Sequence, residues 1–321
     1  MIIITGAAGF IGSVIAQGLF RQGVKDLVLV DKFNKPEKWK NVAGINFKEF
    51  VDRDSFLDRL EKGEFGTPEA VIHMGACADT TEFNMDFLMA QNYEYSKRLC
   101  LWCQSKNVRF IYASSASVYG DGSKGFNDSD DFTLQMEPLN PYGFSKLVFD
   151  RWLINNGLSK TVAGLRFFNV FGPNEYHKGK MSSIIYRAFP MAKKEGVVKL
   201  FKSYKKDFTD GGQRRDFIYV KDILPVVNFL LENKKACGIF NLGTGNARSF
   251  NELAAAILGP LGKKPIIEYI DMPEEIRNKY QYFTEAEMSS LRNVGYKGTF
   301  TSLEDAVSDY EQNYLVPGRN Y

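Results

Sequence analysis

Tyr142 and Lys146 are the residues whose types and spacing point most directly to chemistry. They follow Asn140-Pro141, and proline suits the first turn of a helix because its missing N–H costs nothing there. Four residues apart on a helix, the phenol and the ammonium share one face. A phenol ordinarily titrates near ~10, and a neighbouring positive charge lowers its pKa. The pair therefore predicts a proton acceptor for an alcohol hydroxyl.

The spacing on its own does not select this pair, because Tyr93 and Tyr176 each also have a lysine four residues on. Such pairs are usually neighbours on a helix surface. Tyr142 is distinguished by an upstream apolar strand, 109–113, that ends in a run of serines. Ligands bind at the carboxyl ends of strands in parallel sheets. A serine hydroxyl from that run can therefore share the substrate proton with Tyr142, although the run could also be a serine-rich turn.

A glycine-rich turn predicts a dinucleotide site. Residues 1–5 form an apolar strand, and Gly6-Ala7-Ala8-Gly9-Phe10-Ile11-Gly12 follows and opens a helical pattern. Glycines let the backbone approach a pyrophosphate closely, and free N–H groups at the helix terminus bind it. A second strand, 27–30, ends in Asp31, at the position of the acid that binds the adenosine ribose.

The charges around Asp31 favour NADP over NAD. An acid at this position ordinarily repels the 2′-phosphate of NADP. Here Lys32, Lys35 and Lys38 lie in the same loop, and Arg53 follows the next predicted strand. These cations can offset Asp31 and hold the phosphate, although they could equally form a solvated loop. We expect NADP as the cofactor.

Composition argues against several classes of protein. The chain has 321 residues, of which 44% are hydrophobic and 25% charged, as in soluble globular proteins. A net charge of +3 gives no reason to propose a nucleic acid or a membrane as partner. The chain starts in an apolar strand without the basic region of a signal peptide. No apolar run reaches the ~20 residues of a transmembrane helix.

The four cysteines predict neither a disulfide framework nor a metal site. Cys100 and Cys103 have metal-ligand spacing, but no second pair follows. Both lie inside a helical pattern, where cysteine behaves as a small buried hydrophobe. Together with Cys77 and Cys237 they fit a reducing compartment. We expect a cytoplasmic protein without a bound metal.

The order of predicted elements indicates an α/β Rossmann fold, which is a doubly wound parallel sheet, with a smaller mixed α/β carboxyl-terminal lobe. Predicted strands alternate with helical patterns and lie at 1–5, 27–30, 45–50, 70–76, 109–113, 161–173 and 238–243. A further helix is predicted from His177 to about residue 194. We assign residues 1–168, with about 214–245, to a dinucleotide-binding domain. Residues 169–213 and 246–321 form a substrate-binding lobe.

Together these motifs resemble the extended short-chain dehydrogenase/reductase family, which includes sugar-nucleotide epimerases, and the resemblance covers the whole chain. It implies that Ser115 and Tyr142 bind the hydroxyl being oxidised. It also implies that Lys146 binds the nicotinamide ribose and tunes Tyr142. The cofactor residues that it implies are Gly6, Gly9, Phe10, Ile11, Gly12, Asp31, Lys32, Lys38, Arg53, Met74, Gly75, Ala76, Cys77, Ala78, Asn92, Lys146, Val170 and Lys178.

Within the family, the chain is most similar to the branch that epimerises ADP-heptose at C6″ for lipopolysaccharide core biosynthesis. The matching segments are His73-x-Gly75-Ala76-Cys77, Thr80-Thr81-Glu82, Asn169 with Glu175-x-His177-Lys178-Gly179, Arg215-Asp216-Phe217 and Arg277-x-x-Tyr280-Gln281. This resemblance implies transient oxidation by bound NADP, Lys178 as a second acid/base, and a homo-oligomer, specifically a homopentamer. The substrate contacts that it implies are Asn169, Lys180, Arg187, Phe201, Lys202, Ser203, Tyr204, Arg215 and Tyr280.

Three alternatives remain open. A UDP-hexose 4-epimerase would keep Tyr142 and its partners without needing Lys178. A nucleotide-sugar 4,6-dehydratase would carry an Asp-Glu pair where this chain has Ala116 and Ser117. A non-catalytic dinucleotide sensor would share the fold, which by itself does not establish chemistry, but would have no use for a complete Ser, Tyr and Lys set.

Overall fold

A parallel β-sheet organises the computed structural model, which describes residues 1–262, 266–277 and 280–321. The strands in chain order are β1 (Ile2–Thr5), β2 (Leu27–Asp31), β3 (Glu49–Asp52), β4 (Ala70–His73), β5 (Arg109–Ser115), β6 (Ala163–Phe167), β7 (Asn169–Phe171), β8 (Val197–Phe201), β9 (Arg214–Tyr219), β10 (Gly238–Leu242), β11 (Ala247–Ser249) and β12 (Ile266–Ile270). Within those ranges the large sheet has the order β3-β2-β1-β4-β5-β6-β10, with every neighbouring pair parallel. This is the Rossmann order with one further strand, so the predicted fold class is confirmed.

Helices pack on this sheet and on the smaller lobe. They are α1 (Phe10–Arg21), α2 (Arg53–Glu61), α3 (Met85–Leu88), α4 (Tyr95–Ser105), α5 (Asp130–Thr133), α6 (Pro141–Asn155), α7 (Ile184–Glu195), α8 (Ile223–Glu232), α9 (Phe250–Leu258), α10 (Glu274–Arg277), α11 (Ser289–Asn293) and α12 (Leu303–Tyr310). None of the described helices combines the length and apolar character needed to cross a membrane.

The two faces of the large sheet bury two separate hydrophobic clusters, because successive side chains of a strand point to opposite faces. Ile4 of β1 packs with side chains of α1 and α8, whereas its neighbour Ile3 packs with side chains of α2, α4 and α6. Both residues are fully buried. This burial on both faces explains why the strands read as continuous apolar runs rather than as alternating patterns.

The start of α6 follows the sequence prediction. Asn140 Oδ1 accepts the N–H of Gly143 at 2.8 Å, and Pro141 is the first helical residue. Gly143 packs so closely on the segment after β5 that an added Cβ would lie 2.7 Å from the carbonyl oxygen of Ser117. The end of β5 and the first turn of α6 are thereby held against each other.

A buried ion pair fixes α6 on the sheet one helical turn beyond Lys146. Asp150 and Arg166 are both fully buried, and Arg166 Nη2 lies 2.9 Å from Asp150 Oδ2. Tyr112 and Ser114 of β5 donate hydrogen bonds to the same carboxylate at 2.8 and 2.9 Å. The carboxylate therefore has the charged and hydrogen-bonding partners that its burial requires.

The remaining strands belong to two small sheets. β9 pairs in parallel with β7 and antiparallel with β11, and β8 pairs in parallel with β12. Helices α7, α9 and α12 pack on these strands, so a smaller mixed α/β lobe accompanies the large sheet as predicted. β9 lies within the range 214–245 assigned to the dinucleotide-binding domain, but its partners come from the other assigned lobe. The domain boundaries stay a prediction.

Several predicted elements differ from the structure. The strand predicted at 161–173 forms two strands, β6 and β7, in separate sheets, and the strand predicted at 70–76 ends at His73. The strand predicted at 45–50 lies at Glu49–Asp52, because pairing with β2 sets its register. The helix predicted from His177 begins instead at Ile184. Residues Tyr176–Met181 form a 3₁₀ segment with a kink at Gly179, whose φ of +54° is a conformation that glycine tolerates.

Candidate active site

The turn between β1 and α1 has the shape that a dinucleotide pyrophosphate requires. Gly6 has a φ of +66°, and an added Cβ would lie 2.6 Å from the nitrogen of Gly75. A Cβ on Gly12 would lie 2.2 Å from the carbonyl oxygen of Gly6. Gly9 precedes α1, and no side chain among the described residues caps that helix. Its first-turn N–H groups are thus available to an anion.

This turn borders a cleft of about 430 Å³. The segment after β4 forms another part of its wall. Most of the predicted cofactor residues line the cleft, namely Gly6, Gly9, Phe10, Ile11, Gly12, Asp31, Lys32, Lys38, Arg53, Met74, Gly75, Ala76, Cys77, Ala78 and Lys178. The other predicted cofactor residues, Asn92, Lys146 and Val170, are not among the residues that line the cleft.

Asn92 supports the cleft wall from behind. Its Oδ1 accepts the N–H of Cys77 at 2.8 Å, and its Nδ2 donates to the Cys77 carbonyl at 3.0 Å and to Ser145 Oγ at 2.9 Å. The amide lies in the π-helical turn Met89–Glu94, a type of turn that is frequent at functional sites. It therefore ties the wall to α6. Val170, on β7, packs against the larger hydrophobic cluster.

At the end of the cleft near β2, Asp31 is already neutralised. Lys38 Nζ lies 2.5 Å from Asp31 Oδ1 in a buried ion pair, and the N–H of Ala8 donates to Oδ2 at 2.8 Å. Lys32 and Arg53, which line the same cleft, form ion pairs with Asp54. Because Lys38 offsets the charge of Asp31, the repulsion that would exclude a 2′-phosphate is reduced.

Tyr142, Ser115 and Lys146 converge at the carboxyl end of β5. The hydroxyl of Ser115 lies close enough to the phenol of Tyr142 to lower its pKa. Lys146 Nζ donates to the carbonyl oxygen of Ala113 at 2.9 Å. Cys77, in the cleft wall, lies close enough to influence the pKa values of both Tyr142 and Lys146. The three residues therefore stand at the border of the cofactor cleft.

Burial sets the charge states of this pair. Burial raises the pKa of Tyr142, and the nearby hydroxyl of Ser115 opposes that rise. Burial also lowers the pKa of Lys146 to about 8, against the attraction of Asp150. The net pKa of Tyr142 is thus raised and not lowered as predicted, because desolvation is the largest cause and the Lys146 ammonium donates to the carbonyl of Ala113.

Lys178 reaches the same cleft from a separate segment, which we call the Lys178 turn (residues 174–182). Its Nζ lies 5.1 Å from the centroid of the Phe10 ring, at the start of α1, in a cation–π contact. Burial lowers the pKa of Lys178, and the carboxylate of Glu175 opposes this effect. Lys178 is therefore a partly buried ammonium whose proton is held less firmly than that of a solvated lysine.

Glu175 anchors the Lys178 turn. The side chain is fully buried, and its Oε1 accepts the N–H of Gly172 at 3.2 Å and the hydroxyl of Ser183 at 2.7 Å. Its Oε2 accepts the N–H of Ser183. Hydrogen bonds at both ends of the turn restrict the backbone from which Lys178 projects.

Comparison with known proteins agrees with this geometry. Residues 2–243 match the model of the NAD dependent epimerase/dehydratase family. The chain is 50% identical to the ADP-L-glycero-D-manno-heptose-6-epimerase of Nitratidesulfovibrio vulgaris, over 98% of each chain. The chain belongs to the NAD dependent epimerase/dehydratase family.

Two further members of this epimerase/dehydratase family are similar over nearly the whole chain. The ADP-L-glycero-D-manno-heptose-6-epimerase of Fusobacterium nucleatum is 46% identical over 100% of both chains. The crystal structure of the Helicobacter pylori enzyme of the same name superposes with a TM-score of 0.81 at 31% identity, over 97% of this chain and 95% of that one. Family membership identifies the cofactor as NAD or NADP, and the uncapped glycine turn fits either dinucleotide.

Several predicted substrate residues of this family member gather in the smaller lobe. The Arg215 guanidinium lies 5.2 Å from the centroid of the Tyr280 ring, and that ring makes an edge contact with Phe201 at 6.3 Å. Lys202 and the hydroxyl of Tyr204 both bind Asp271, at 3.2 and 3.0 Å. The cluster combines aromatic faces with cations, and its role in substrate binding stays a prediction.

The other predicted substrate residues are more dispersed. The backbone N–H of Ser203 donates to Asp210 Oδ1 at 2.7 Å, so this residue shapes the adjoining loop. Asn169 Nδ2 contacts Thr284 Oγ1 at 3.3 Å. Arg187 is exposed but close enough to Tyr280 to lower the pKa of its phenol. Lys180 is exposed in the Lys178 turn. The structure shows no contact that assigns these side chains a ligand, and their roles stay predictions.

Sequence reasoning missed cleft residues that belong to no motif. Tyr95 lines the cleft, and its buried hydroxyl has no hydrogen-bond partner among the described residues. It lies in a helical pattern whose other aromatic residues pack in the core, so the sequence contained no signal for it. Asn34, Asp79, Gln91 and Met181 also line the cleft. Their contribution depends on where loops fold back, which local pattern does not report.

Proposed function

We propose that this protein interconverts ADP-D-glycero-D-manno-heptose and ADP-L-glycero-D-manno-heptose by transient oxidation and re-reduction of C6″. The observation that carries the proposal is that Lys178 lines the same cleft as the glycine turn. An epimerase that works from Tyr142 alone has no need of this second group. The names of the relatives at 50% and 46% identity support the same substrate.

We also propose that the resident cofactor is NADP. Lys38 neutralises Asp31, and Lys32 and Arg53 line the same end of the cleft. Guanidinium and ammonium groups are the protein's usual ligands for phosphate. When bound, the nicotinamide would supply a reversible hydride acceptor for C6″.

Tyr142 would transfer the proton on one face of the sugar carbon. C6″ bears a secondary hydroxyl, so loss of its proton and its C–H hydride gives a ketone. Ser115, whose hydroxyl lies close to the phenol, would orient the sugar hydroxyl toward it. The positive charge of Lys146, buried one turn beyond Tyr142, would stabilise the developing phenolate once the hydroxyl proton moves.

Lys178 would serve the opposite face. Inversion at C6″ requires the ketone to be reduced on the face opposite to that from which the hydride left. A second group must then exchange the hydroxyl proton. Burial lowers the pKa of Lys178, which increases the neutral fraction able to accept a proton. Glu175 keeps the amine from losing its proton completely, so the group can also act as an acid.

The test is proton NMR of ADP-D-glycero-D-manno-heptose incubated with the purified holoenzyme. We expect both epimers to appear at C6″ without net formation of reduced cofactor. An unchanged spectrum from folded, cofactor-loaded enzyme that instead epimerises UDP-galactose at C4″ would replace this function by the UDP-hexose 4-epimerase alternative.

We further propose that the enzyme acts in the cytoplasm as a homo-oligomer, a homopentamer by family resemblance, and supplies lipopolysaccharide core biosynthesis. Four free thiols support a reducing compartment. Phe83, Phe87 and Phe144 are 72%, 41% and 42% exposed, and subunit contact would cover such side chains. Light scattering of the purified protein tests the subunit number, and a monomeric mass would contradict it.

A further inference from the structure

We propose that Asn41 is a positioning residue that couples the dinucleotide-binding turn to the Lys178 turn. The inference rests on the proposed role of Lys178 as the second acid/base. Asn41 ends the 3₁₀ segment Pro36–Asn41 and is 3% exposed. The same segment contains Lys38, the partner of Asp31. One short segment thus contacts both Asp31, at the adenosine end of the cleft, and the Lys178 turn.

The amide nitrogen of Asn41 joins two loops that are far apart in sequence. Nδ2 donates to the carbonyl oxygen of Ala8 at 3.0 Å and to that of Asn174 at 3.2 Å. Because carbonyl oxygens only accept, the nitrogen must face them, which fixes the orientation of the amide. A longer contact, 3.4 Å, reaches Nδ1 of His177, the residue before Lys178. Ala8 lies in the glycine turn, so the amide bridges the two halves of the site.

The amide oxygen of Asn41 adds a third segment, residues 319–321, which we call the strap. Oδ1 accepts the Nδ2 of Asn320 at 2.6 Å, and the N–H of Tyr321 donates to Asn174 Oδ1 at 2.9 Å. The strap also holds the Lys178 turn, because the Tyr176 hydroxyl donates to the carbonyl oxygen of Arg319 at 2.9 Å. The strap thus closes a ring of contacts from Asn41 to the Lys178 turn and back.

Asn174 completes the connection to α1. It is fully buried with a φ of +74°, an unusual conformation for a residue other than glycine. Its Nδ2 donates to Ser13 Oγ at 2.9 Å. The start of the Lys178 turn is thereby fixed against the helix whose amino terminus borders the cofactor cleft.

The consequence concerns the alignment of Lys178 with a substrate carbon beside the bound cofactor. A misplacement of about 1 Å can cost on the order of 10²-fold in rate. The cofactor is placed by the glycine turn, and Asn41 is a buried side chain that connects that turn to the Lys178 turn. Tyr142 and Ser115 are placed separately, by α6 and β5. Loss of the Asn41 bridge should therefore affect proton transfer at Lys178 and spare that at Tyr142.

The discriminating variant is Asn41→Asp. It keeps the size of the side chain and the oxygen that accepts from Asn320, but it loses both N–H donors. The matched control is Asn233→Asp, at an exposed asparagine whose Nδ2 donates to the Phe229 carbonyl at 2.9 Å. Asn320→Ala removes the strap contact alone and keeps the proposal testable if Asn41→Asp fails to fold.

The first measurement needs no substrate. Acylation of lysines in the holoenzyme is quantified by peptide mass spectrometry, and the rate at Lys178 is compared with that at Lys146. We expect Asn41→Asp to raise the relative rate at Lys178 on the order of tenfold, as a local opening would on loss of two hydrogen bonds. An unchanged ratio in folded Asn41→Asp and Asn320→Ala would overturn the proposal, whether or not the wild-type enzyme acts on ADP-heptose.

The second measurement separates the two faces of the reaction. Single-turnover reduction of bound cofactor is followed with each heptose epimer in turn. We expect Asn41→Asp to slow the half-reaction that Lys178→Met also slows, on the order of 10²-fold, and to leave the other unchanged. Equal slowing with both epimers would mean a general structural role and would overturn the assignment.

Discussion

At the scale of single residues, Lys38 determines the effective charge of Asp31. The carboxylate is 8% exposed, and its Oδ1 is bound by Lys38 Nζ at 2.5 Å. An acid at the end of this strand is generally associated with NAD, whose free 2′-hydroxyl it binds. A buried lysine bound to the acid changes that expectation, because the pair has no net charge.

Lys38→Met should therefore shift the cofactor preference toward NAD. Loss of the ammonium leaves Asp31 to repel a 2′-phosphate, and we expect the Kd for NADP to rise roughly 10–100-fold, as for a lost contact with a charged group. The Kd for NAD should stay the same or fall. Calorimetric titration of cofactor-free protein with both dinucleotides measures this. Lys199→Met, at an exposed lysine, is the control, and equal weakening of both cofactors would contradict the prediction.

Tyr142→Phe and Lys178→Met should each lower the epimerisation rate about 10²–10⁴-fold, the range for removal of one acid/base group. Neither change alters the glycines or the first-turn N–H groups of α1, so both variants should retain bound dinucleotide. Epimerisation by NMR and cofactor content after heat release check the two statements. A wild-type rate in either variant would contradict the two-base mechanism.

The pH dependence has a defined sign. Burial lowers the pKa of Lys178, so its neutral form appears at lower pH than that of a solvated lysine. The half-reaction in which Lys178 accepts the proton should gain rate as pH rises through that pKa and then level off. Single-turnover rates across the alkaline range measure this. A rate that falls with rising pH would assign Lys178 a purely electrostatic role.

Residues could be predicted from the sequence where chemistry imposes a motif. Gly6 and Gly12 are required because an added Cβ would lie only 2.6 and 2.2 Å from neighbouring backbone atoms, so the motif reports the geometry directly. The role of Asn41 could not be predicted, because it contacts both Ala8 and Asn174, which lie more than a hundred residues apart in the sequence. The direction of the Tyr142 pKa shift could not be predicted either, because it is determined by burial and not by the neighbouring Lys146.

At the scale of elements, the π-helical turn Glu311–Leu315 contains a buried carboxyl group. Glu311 is fully buried, and neither carboxylate oxygen has a hydrogen-bond partner among the described residues. Burial raises the pKa of Glu311 from 4.5 to about 8. The folded protein therefore holds this carboxyl in its protonated form across a pH range in which the unfolded chain ionises it.

Glu311→Gln should stabilise the protein at alkaline pH. In the wild type, the folded state binds more protons than the unfolded state between about pH 4.5 and 8, so stability falls as pH rises through that window. The neutral amide removes the dependence, and we expect a gain of about 1–3 kcal/mol above pH 8, with little change near pH 5. Urea unfolding at both pH values measures it, with exposed Glu268→Gln as the control. A pH-independent effect would contradict the prediction.

Elements were predictable where local pattern and tertiary pairing agree. α6 began at Pro141 as predicted because its cap, Asn140, is local. β3 was displaced because the register with β2, and not the apolar run before it, selects Glu49–Asp52. α7 began later than predicted because Gly179 interrupts the turn before Ser183 caps the helix.

At the scale of the whole molecule, the buried pair Asp150–Arg166 links helix α6, which contains Tyr142 and Lys146, to strand β6 of the sheet. Arg166→Met should destabilise the fold by about 3–5 kcal/mol, because it leaves an uncompensated carboxylate in the interior. Asp150→Leu combined with Arg166→Met should recover much of that loss. Denaturant unfolding of both proteins measures the difference. A double variant less stable than the single one would contradict this account, which attributes the loss to the unpaired charge.

The overall architecture was predictable, whereas the partition of the second half was not. Alternating strand and helix patterns with a dinucleotide turn leave few topologies besides the doubly wound sheet. The small sheets are different, since β9 pairs with β7 before it and β11 after it, and no periodicity reports such partners. The substrate residues on these strands were placed only through resemblance to a family.

The position of β10 at the edge of the sheet affects how this protein folds during its synthesis. It pairs with β6 through Gly238 and Ala163, so β6 has no neighbour on that side until the ribosome has added the intervening residues. At ~5–20 residues per second this takes roughly 4–15 s, during which a nascent sheet presents an open apolar edge. Truncated chains that end before residue 238 should therefore associate with chaperones or aggregate, although they contain the entire glycine turn, Tyr142 and Lys178.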